Sequence, residues 1–469
     1  MNPHATDDPA LLEKEQALLV EIRELEAVLS GRQDFASLDT RGGSAPPLST
    51  EQRAELNARL EQAYREYNQL LAQIQRTNPQ YAALRTVQAS TIITVQQTLP
   101  ADVTLVEYYI VSSTQTLAFV VTREDFQAIP LSAPFQSISR TLGDFEVETQ
   151  TDLEGIPRSM RTLYNLLFAP LREHIHTESL IIAPYDILHY VPFSALHDGE
   201  HYLVEDYVIG YIPSASVLGF LPTAAANSDT AFVFGNPANS EVSGLSGAEH
   251  EAVAIAELFN TTPYLGTDAT EARLWNEVAG ARYVHLAAHG EFNATAAQFS
   301  RIYLAPGGDT SAELSAERTD GLLETREVWN LPLEGVALVT LSACETQLGD
   351  LSAGDDLVGL SRAFLYAGTP SLVASLWSVE DESTAFLMER FYGYLKDGMG
   401  KAEALRQAQL DTMAEYPSPY HWAAFTLVGD MGEIPVSRFT PPRGWIGAGM
   451  GGIALVGVGL WLYKHRKRG

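Results

Sequence analysis

Residues 283–293 read YVHLAAHGEFN, and residues 338–350 read LVTLSACETQLGD. Each begins as an apolar run and breaks off at a polar residue able to do chemistry, His289 in the first and Cys344 in the second. A buried strand of a parallel sheet has this form, because both of its faces are covered. Open α/β sheets place their reactive groups at the carboxyl ends of such strands. Two strand ends of this kind, one His-Gly and one Ala-Cys-Glu-Thr, predict a Cys/His peptidase site on an α/β sheet.

The sequence on either side fits. After residue 230 apolar runs alternate with helical patterns: TAFVFGNP, a helix over 247–260, YLG, a helix over 270–279 and the strand 282–288. A loop then leads to the strand 336–342, followed by helix 356–367, strand 371–376, helices 380–397 and 400–415, and strand 422–428. This alternation predicts a mostly parallel sheet with helices on both faces. Right-handed crossovers would bring the ends of strands 282–288 and 336–342 to one edge. Upstream, VTLVEYYIV and QTLAFVVT predict a hairpin, and TAAANSDT at 223–230 marks a subdomain boundary.

The N-terminal stretch is helical in pattern, with Leu18, Ile22, Leu25 and Leu29 in one run and Leu56, Leu60, Ala63, Tyr67, Leu70 and Ile74 in another. Ser49 and Gln52 make a capping box at the start of the second. RGGSAPPLS separates the two, so residues 1–77 are expected to form a helical hairpin or coiled coil. Residues 9–76 could pack on the body, or offer a surface for a helical partner or self-association. No 34-residue period is evident.

The chain has 469 residues, 46% of them hydrophobic, and a formal net charge of −29. That charge would repel phosphates, so no nucleic-acid partner is expected. One cysteine allows no internal disulfide. The N-terminus has neither the basic region nor the apolar run of a secretory signal. Residues 445–463, WIGAGMGGIALVGVGLWLY, carry no charge and have aromatics at both ends. They predict a single-pass transmembrane helix, joined by a linker over 431–444 and followed by the basic tail 464–469. A C-terminal membrane anchor with the catalytic part in the cytoplasm is the expected arrangement.

LIIAPYDILHYVPFSAL, HLAAHGEFN, LSACETQLGD, GLSRAFLYAGTPSLVASLWSVED and KAEALRQAQ follow one another in this order. In that order and spacing they resemble the CHAT family of caspase-like cysteine peptidases, distant relatives of separases and caspases. The resemblance covers roughly residues 78–430. It implies a caspase-like catalytic domain over 230–430, preceded by a pseudo-caspase-like α/β half over 78–222. It also implies a role in regulation or defence, often in bacteria; no cofactor is expected.

A free cysteine has a pKa near 8.5, so Cys344 needs an activating partner to act at neutral pH. His289 is that candidate. The oxyanion is expected to meet the backbone N–H groups of Gly290 and Cys344. Related peptidases with acidic pockets cleave after Arg or Lys; by that resemblance Asp355 and Asp356, in the loop after the nucleophile, and Glu380 and Asp381, after the strand SLVASLW, are candidates for a pocket that takes a basic P1 side chain. Asp356, Glu380 and Asp381 have the plainer reading of charging or capping helix starts. Trp377 either lines that pocket or packs beneath the sheet. His285 precedes His289 by four residues, but in a strand this is not the helical ligand pair, so no metal is expected. Ser342 is placed within its strand rather than as a nucleophile. GGDTSAELSAERTDG at 307–321 reads as a mobile surface loop, with a processing site near Arg318 as the alternative.

These expectations amount to a membrane-anchored endopeptidase acting on a protein or peptide substrate, with a basic P1 residue. The alternative is a catalytically silent scaffold with the same fold, working through protein contacts at the membrane.

Overall fold

The computed structural model describes residues 49–77, 90–151, 157–222, 230–291, 293, 297–307, 316–343, 355–377, 379 and 381–434, with a few helical positions between 11 and 25. After these helical positions comes a long helix, α1 (Thr50–Thr77). Its capping box forms as read: Ser49 N–H donates to Gln52 Oε1 at 3.0 Å, and Gln52 N–H donates to Ser49 Oγ at 3.1 Å.

Strands β1 (Val103–Ser112), β2 (Gln115–Val121) and β3 (Phe126–Leu131) make an antiparallel meander. After helix α2 (Phe135–Thr151), β4 (Ser179–Ala183) and β5 (Val208–Tyr211) add in parallel. The second half runs β6 (Ala231–Pro237), α3 (Ser246–Leu258), β7 (Tyr264–Gly266), α4 (Glu271–Glu277) and β8 (Tyr283–Ala288). Three short strands follow, β9 (Gly290–Glu291), β10 (Arg301–Tyr303) and β11 (Leu322–Glu324). Then come β12 (Leu338–Ala343), α5 (Asp355–Ala367), β13 (Ser371–Ser375), α6 (Asp381–Lys396), α7 (Lys401–Glu415) and β14 (Phe425–Gly429).

Eleven strands form one sheet in the order β3-β2-β1-β4-β5-β14-β13-β12-β8-β6-β7. The two halves are joined by β14, which runs parallel to β5 and antiparallel to β13. Arg406 on α7 strengthens that junction, donating to the carbonyls of Val204 and Glu205 at 2.8 and 2.7 Å.

The central strands are buried on both faces, as their apolar runs require. On one face Val284, Leu286, Ala288, Val339 and Leu341 pack on Leu274 of α4 and Phe364 of α5. On the other, Tyr283 and Leu338 pack toward Ala252 and Ile255 of α3 and Phe391 and Tyr392 of α6. The alternation has the period of two that a strand imposes.

The stretch between β8 and β12 departs from the sequence reading. The sequence predicts a loop here, yet β9, β10 and β11 build a separate three-stranded antiparallel sheet in it. Strands of two or three residues are too short to show a period of two. Arg318, expected on a mobile loop, sits in a short helical turn (Ala316–Thr319) with its guanidinium 4.1 Å from the centre of the Trp275 ring.

The N-terminal helices pack on this same region. Helical positions Leu11, Leu18 and Ile22 join Ala63, Tyr64, Tyr67 and Leu70 of α1 in a cluster completed by Phe299, just before β10. Phe299 lies 5.1 Å from the Tyr64 ring and 5.4 Å from that of Tyr67. Among the described residues no helix is long and apolar enough to cross a membrane. The expected membrane helix at 445–463, the linker from 435 onward and the basic tail lie outside the described residues.

Candidate active site

β8 and β12 are parallel neighbours, with Ala288 opposite Ala343. His289 follows the first of these residues and Cys344 the second. Cys344 and Glu380 lie outside the described residues. The sequence thus leads both proposed partners off adjacent strands at one level of the sheet edge.

His289 is half-buried. Its Nε2 is 2.7 Å from the backbone carbonyl oxygen of Ser243. A carbonyl only accepts, so Nε2 carries the ring hydrogen and the neutral ring keeps its lone pair on Nδ1. That Nδ1 is buried and has no hydrogen-bond partner among the described residues. The ring is therefore held through Nε2, with Nδ1 unpartnered among the described residues.

The loop that brings the Ser243 carbonyl to the ring is held at both ends. Asn236, at the end of β6 with φ of 49°, accepts from Leu245 N–H on its Oδ1 at 2.7 Å. Asp381, the first residue of α6, accepts from Gly247 N–H on its Oδ2 at 3.1 Å. Asp381 thus supplies the N-terminal cap that Leu245 cannot give α3. A Cβ on residue 247 would overlap the Asp381 side chain, so glycine is what permits the approach.

Gly290 pairs with Ile302 across β9 and β10. Tyr303 N–H donates to the His289 carbonyl at 2.9 Å, so Gly290 and Ile302 are a non-hydrogen-bonded pair of the ladder. The Gly290 N–H consequently faces away from β10.

The remaining candidates are distributed as follows. Asp355 and Asp356 are the first two residues of α5. Trp377 is buried, with its ring 5.5 Å from Phe145 of α2 and its Nε1–H donated to the Tyr420 carbonyl at 3.0 Å. Ser342 is within β12, and its Oγ donates to Glu251 Oε2 at 3.0 Å. His285 is fully buried within β8.

Three participants were not found from the sequence. The Ser243 carbonyl leaves no signal, because any residue carries one. Asn236 stands at a strand end before proline, a pattern common to many turns. Glu251 did leave a signal: it lies on the stripe Ala248, Ala252, Ile255 of α3, where a carboxylate must find partners.

The sheet is mostly parallel, with helices on both faces, and the His289 ring stands at the end of one of its central strands. A model of the CHAT domain matches residues 157–430, and the chain belongs to the CHAT family, whose peptidases are caspase-like. It is similar to tetratricopeptide repeat protein 28 of Mus musculus, 26% identical over 322 residues, covering 58% of this chain and 13% of that protein. The Homo sapiens protein of that name is 26% identical over 357 residues, covering 63% of this chain and 14% of the relative. The chain therefore spans a small part of either relative's length. Among solved structures, a chain of the Saccharomyces cerevisiae separase–securin complex is similar at 10% identity, with a TM-score of 0.47 over 89% of this chain and 37% of that one.

Proposed function

We propose that the chain is a cysteine endopeptidase working through Cys344 and His289. The observation that carries this reading is the setting of the His289 ring, with Nε2–H given to the Ser243 carbonyl and Nδ1 without a partner among the described residues. In the proposed reaction Nδ1 takes the Cys344 proton as sulfur attacks the peptide carbonyl, and returns it to the departing amine. The Gly290 N–H, turned away from its ladder, and the Cys344 N–H would hold the oxyanion. Water then hydrolyses the thioester.

A basic P1 residue is the proposed specificity. Asp381 is engaged by Gly247 and Trp377 by Tyr420, so this part of the reading leans on Asp355, Asp356 and Glu380. The proposal keeps an anchor at residues 445–463, supported by their uncharged, aromatic-flanked sequence, and protein substrates and partners.

The test is turnover of fluorogenic peptides of varied P1 residue by the full chain, beside the Cys344→Ala protein. Cleavage after Arg or Lys that disappears in the variant is expected. Cleavage that survives the substitution would remove Cys344 from the reaction. A cellular effect that survives it would favour the scaffold.

A further inference from the structure

One carboxylate ties together the three pieces that must be aligned for a Cys344–His289 dyad. Glu251, on the second turn of α3, is 3% exposed. Its Oε2 accepts from Ser342 Oγ at 3.0 Å, in the strand that leads to Cys344. Its Oε1 lies 3.1 Å from His285 Nε2, in the strand that leads to His289. The helix that carries Glu251 begins directly after the loop bearing the Ser243 carbonyl.

The His285 ring is also tied to β12 through Tyr392. Tyr392 of α6 has one hydroxyl hydrogen and donates it to Thr340 Oγ1 at 2.8 Å. Tyr392 OH is also 3.3 Å from His285 Nδ1, so there the ring nitrogen must be the donor. On the other side of the ring, Nε2 is at ion-pair distance from Glu251 Oε1, and neither atom has a hydrogen bond among the described residues. Thr340 stands opposite His285 in the β8–β12 ladder, so the chain of contacts bridges both strands.

We infer that Glu251 is a positioning residue for the dyad, fixing the height of α3 and its Ser243 carbonyl against β8 and β12. The inference rests on the peptidase reading above. α3 meets the sheet through small side chains, Ala248, Ala252 and Ala256 among them. Ala252 and the Ala248 carbonyl sit close against Gly235 of β6, where a Cβ would overlap both. The polar tie adds a directional constraint to that packing, linking α3 to both strands that lead to the dyad. A buried ionic group is seldom a source of net stability, and fixing a register is its best-attested use.

The chain's single cysteine gives a test that needs no substrate. The rate of iodoacetamide alkylation of the full chain, followed against pH, reports the thiolate of Cys344 alone. His289→Ala is expected to slow alkylation at pH 6.5 by about tenfold, as the thiol returns toward its free pKa. Glu251→Gln keeps the side-chain volume and removes the charge facing His285. It is expected to slow alkylation in the same pH range by about threefold or more, because a displaced partner lowers the thiolate fraction. Ser342→Ala removes only one tie, and its rate should fall between those of Glu251→Gln and the parent.

If Glu251→Gln and Ser342→Ala both follow the parent profile while His289→Ala does not, the positioning role is wrong and the dyad stands. If the parent and His289→Ala profiles coincide, the dyad reading itself fails and the inference goes with it. Should Glu251→Gln not fold, Ser342→Ala decides by the same criterion.

Discussion

Ala288 and Ala343 face each other at the carboxyl ends of two parallel, hydrogen-bonded strands. Neither side chain does any chemistry. Their pairing sets the level at which the chain turns to His289 on one strand and toward Cys344 on the other. Parallel pairing of strands so far apart in sequence depends on the crossover between them. Here that crossover contains β9–β11 and carries the Phe299 contact with the N-terminal helices.

Asp381 separates two readings of one carboxylate. As the cap of α3 it steadies the Ser243 carbonyl and hence His289. Asp381→Ala should then lower stability by about 1 kcal/mol, the usual cost of losing a cap. It should also reduce kcat toward all peptides alike. A P1-pocket carboxylate would behave differently, raising KM for Arg and Lys peptides with the unfolding midpoint unchanged. Thermal unfolding beside kinetics on two P1 classes distinguishes the two.

Phe299 is the anchor of the N-terminal helices. Its replacement by Ala removes the ring that Tyr64 and Tyr67 enclose and should cost about 3 kcal/mol or more, as buried Phe→Ala changes do. The loss should be local. Amide exchange in residues 50–77 is expected to quicken, while β8 and β12 stay protected. Uniform quickening across the sheet would mean that the helices are part of the core rather than docked on it.

Glu271 gives a pH dependence of definite sign. Burial, with the nearby carboxyls of Glu327 and Asp320, pushes its pKa up to about 9, against the opposing pull of Trp275 Nε1–H and Gly321 N–H. Glu327, raised mainly by burial to about 8, acts in the same direction. Between the ordinary carboxylate value of 4.5 and about 9 the folded chain holds a proton that the unfolded chain has released. Stability from this group is therefore present at low pH and falls as pH rises through that window. Glu271→Gln should flatten the fall, so the variant gains on the parent between pH 6 and 9. A difference between the two that does not change with pH would show that Glu271 is ionised in the fold.

The fold was legible where elements were long and regular. β8 and β12 announce themselves as apolar runs ending in polar residues, and the capping box of Ser49 and Gln52 fixes the start of α1. The Arg301–Tyr303 and Leu322–Glu324 strands were not legible, because three residues cannot display a period. His289 could be named from its setting at a strand end. Its tautomer could not, because that depends on the carbonyl of Ser243, brought near by folding. Trp377 had two readings in the sequence, and its contacts with Phe145 and Tyr420 show the ring packed between the halves.

The most direct measurement is covalent trapping. The full chain would be incubated with a peptidyl acyloxymethyl ketone carrying Arg at P1, and its intact mass and modified residue determined by mass spectrometry. The account predicts one adduct on Cys344, formed slowly in His289→Ala and not at all in Cys344→Ala. Equal labelling rates in the parent and His289→Ala, or an adduct on any other residue, would contradict a Cys344–His289 dyad.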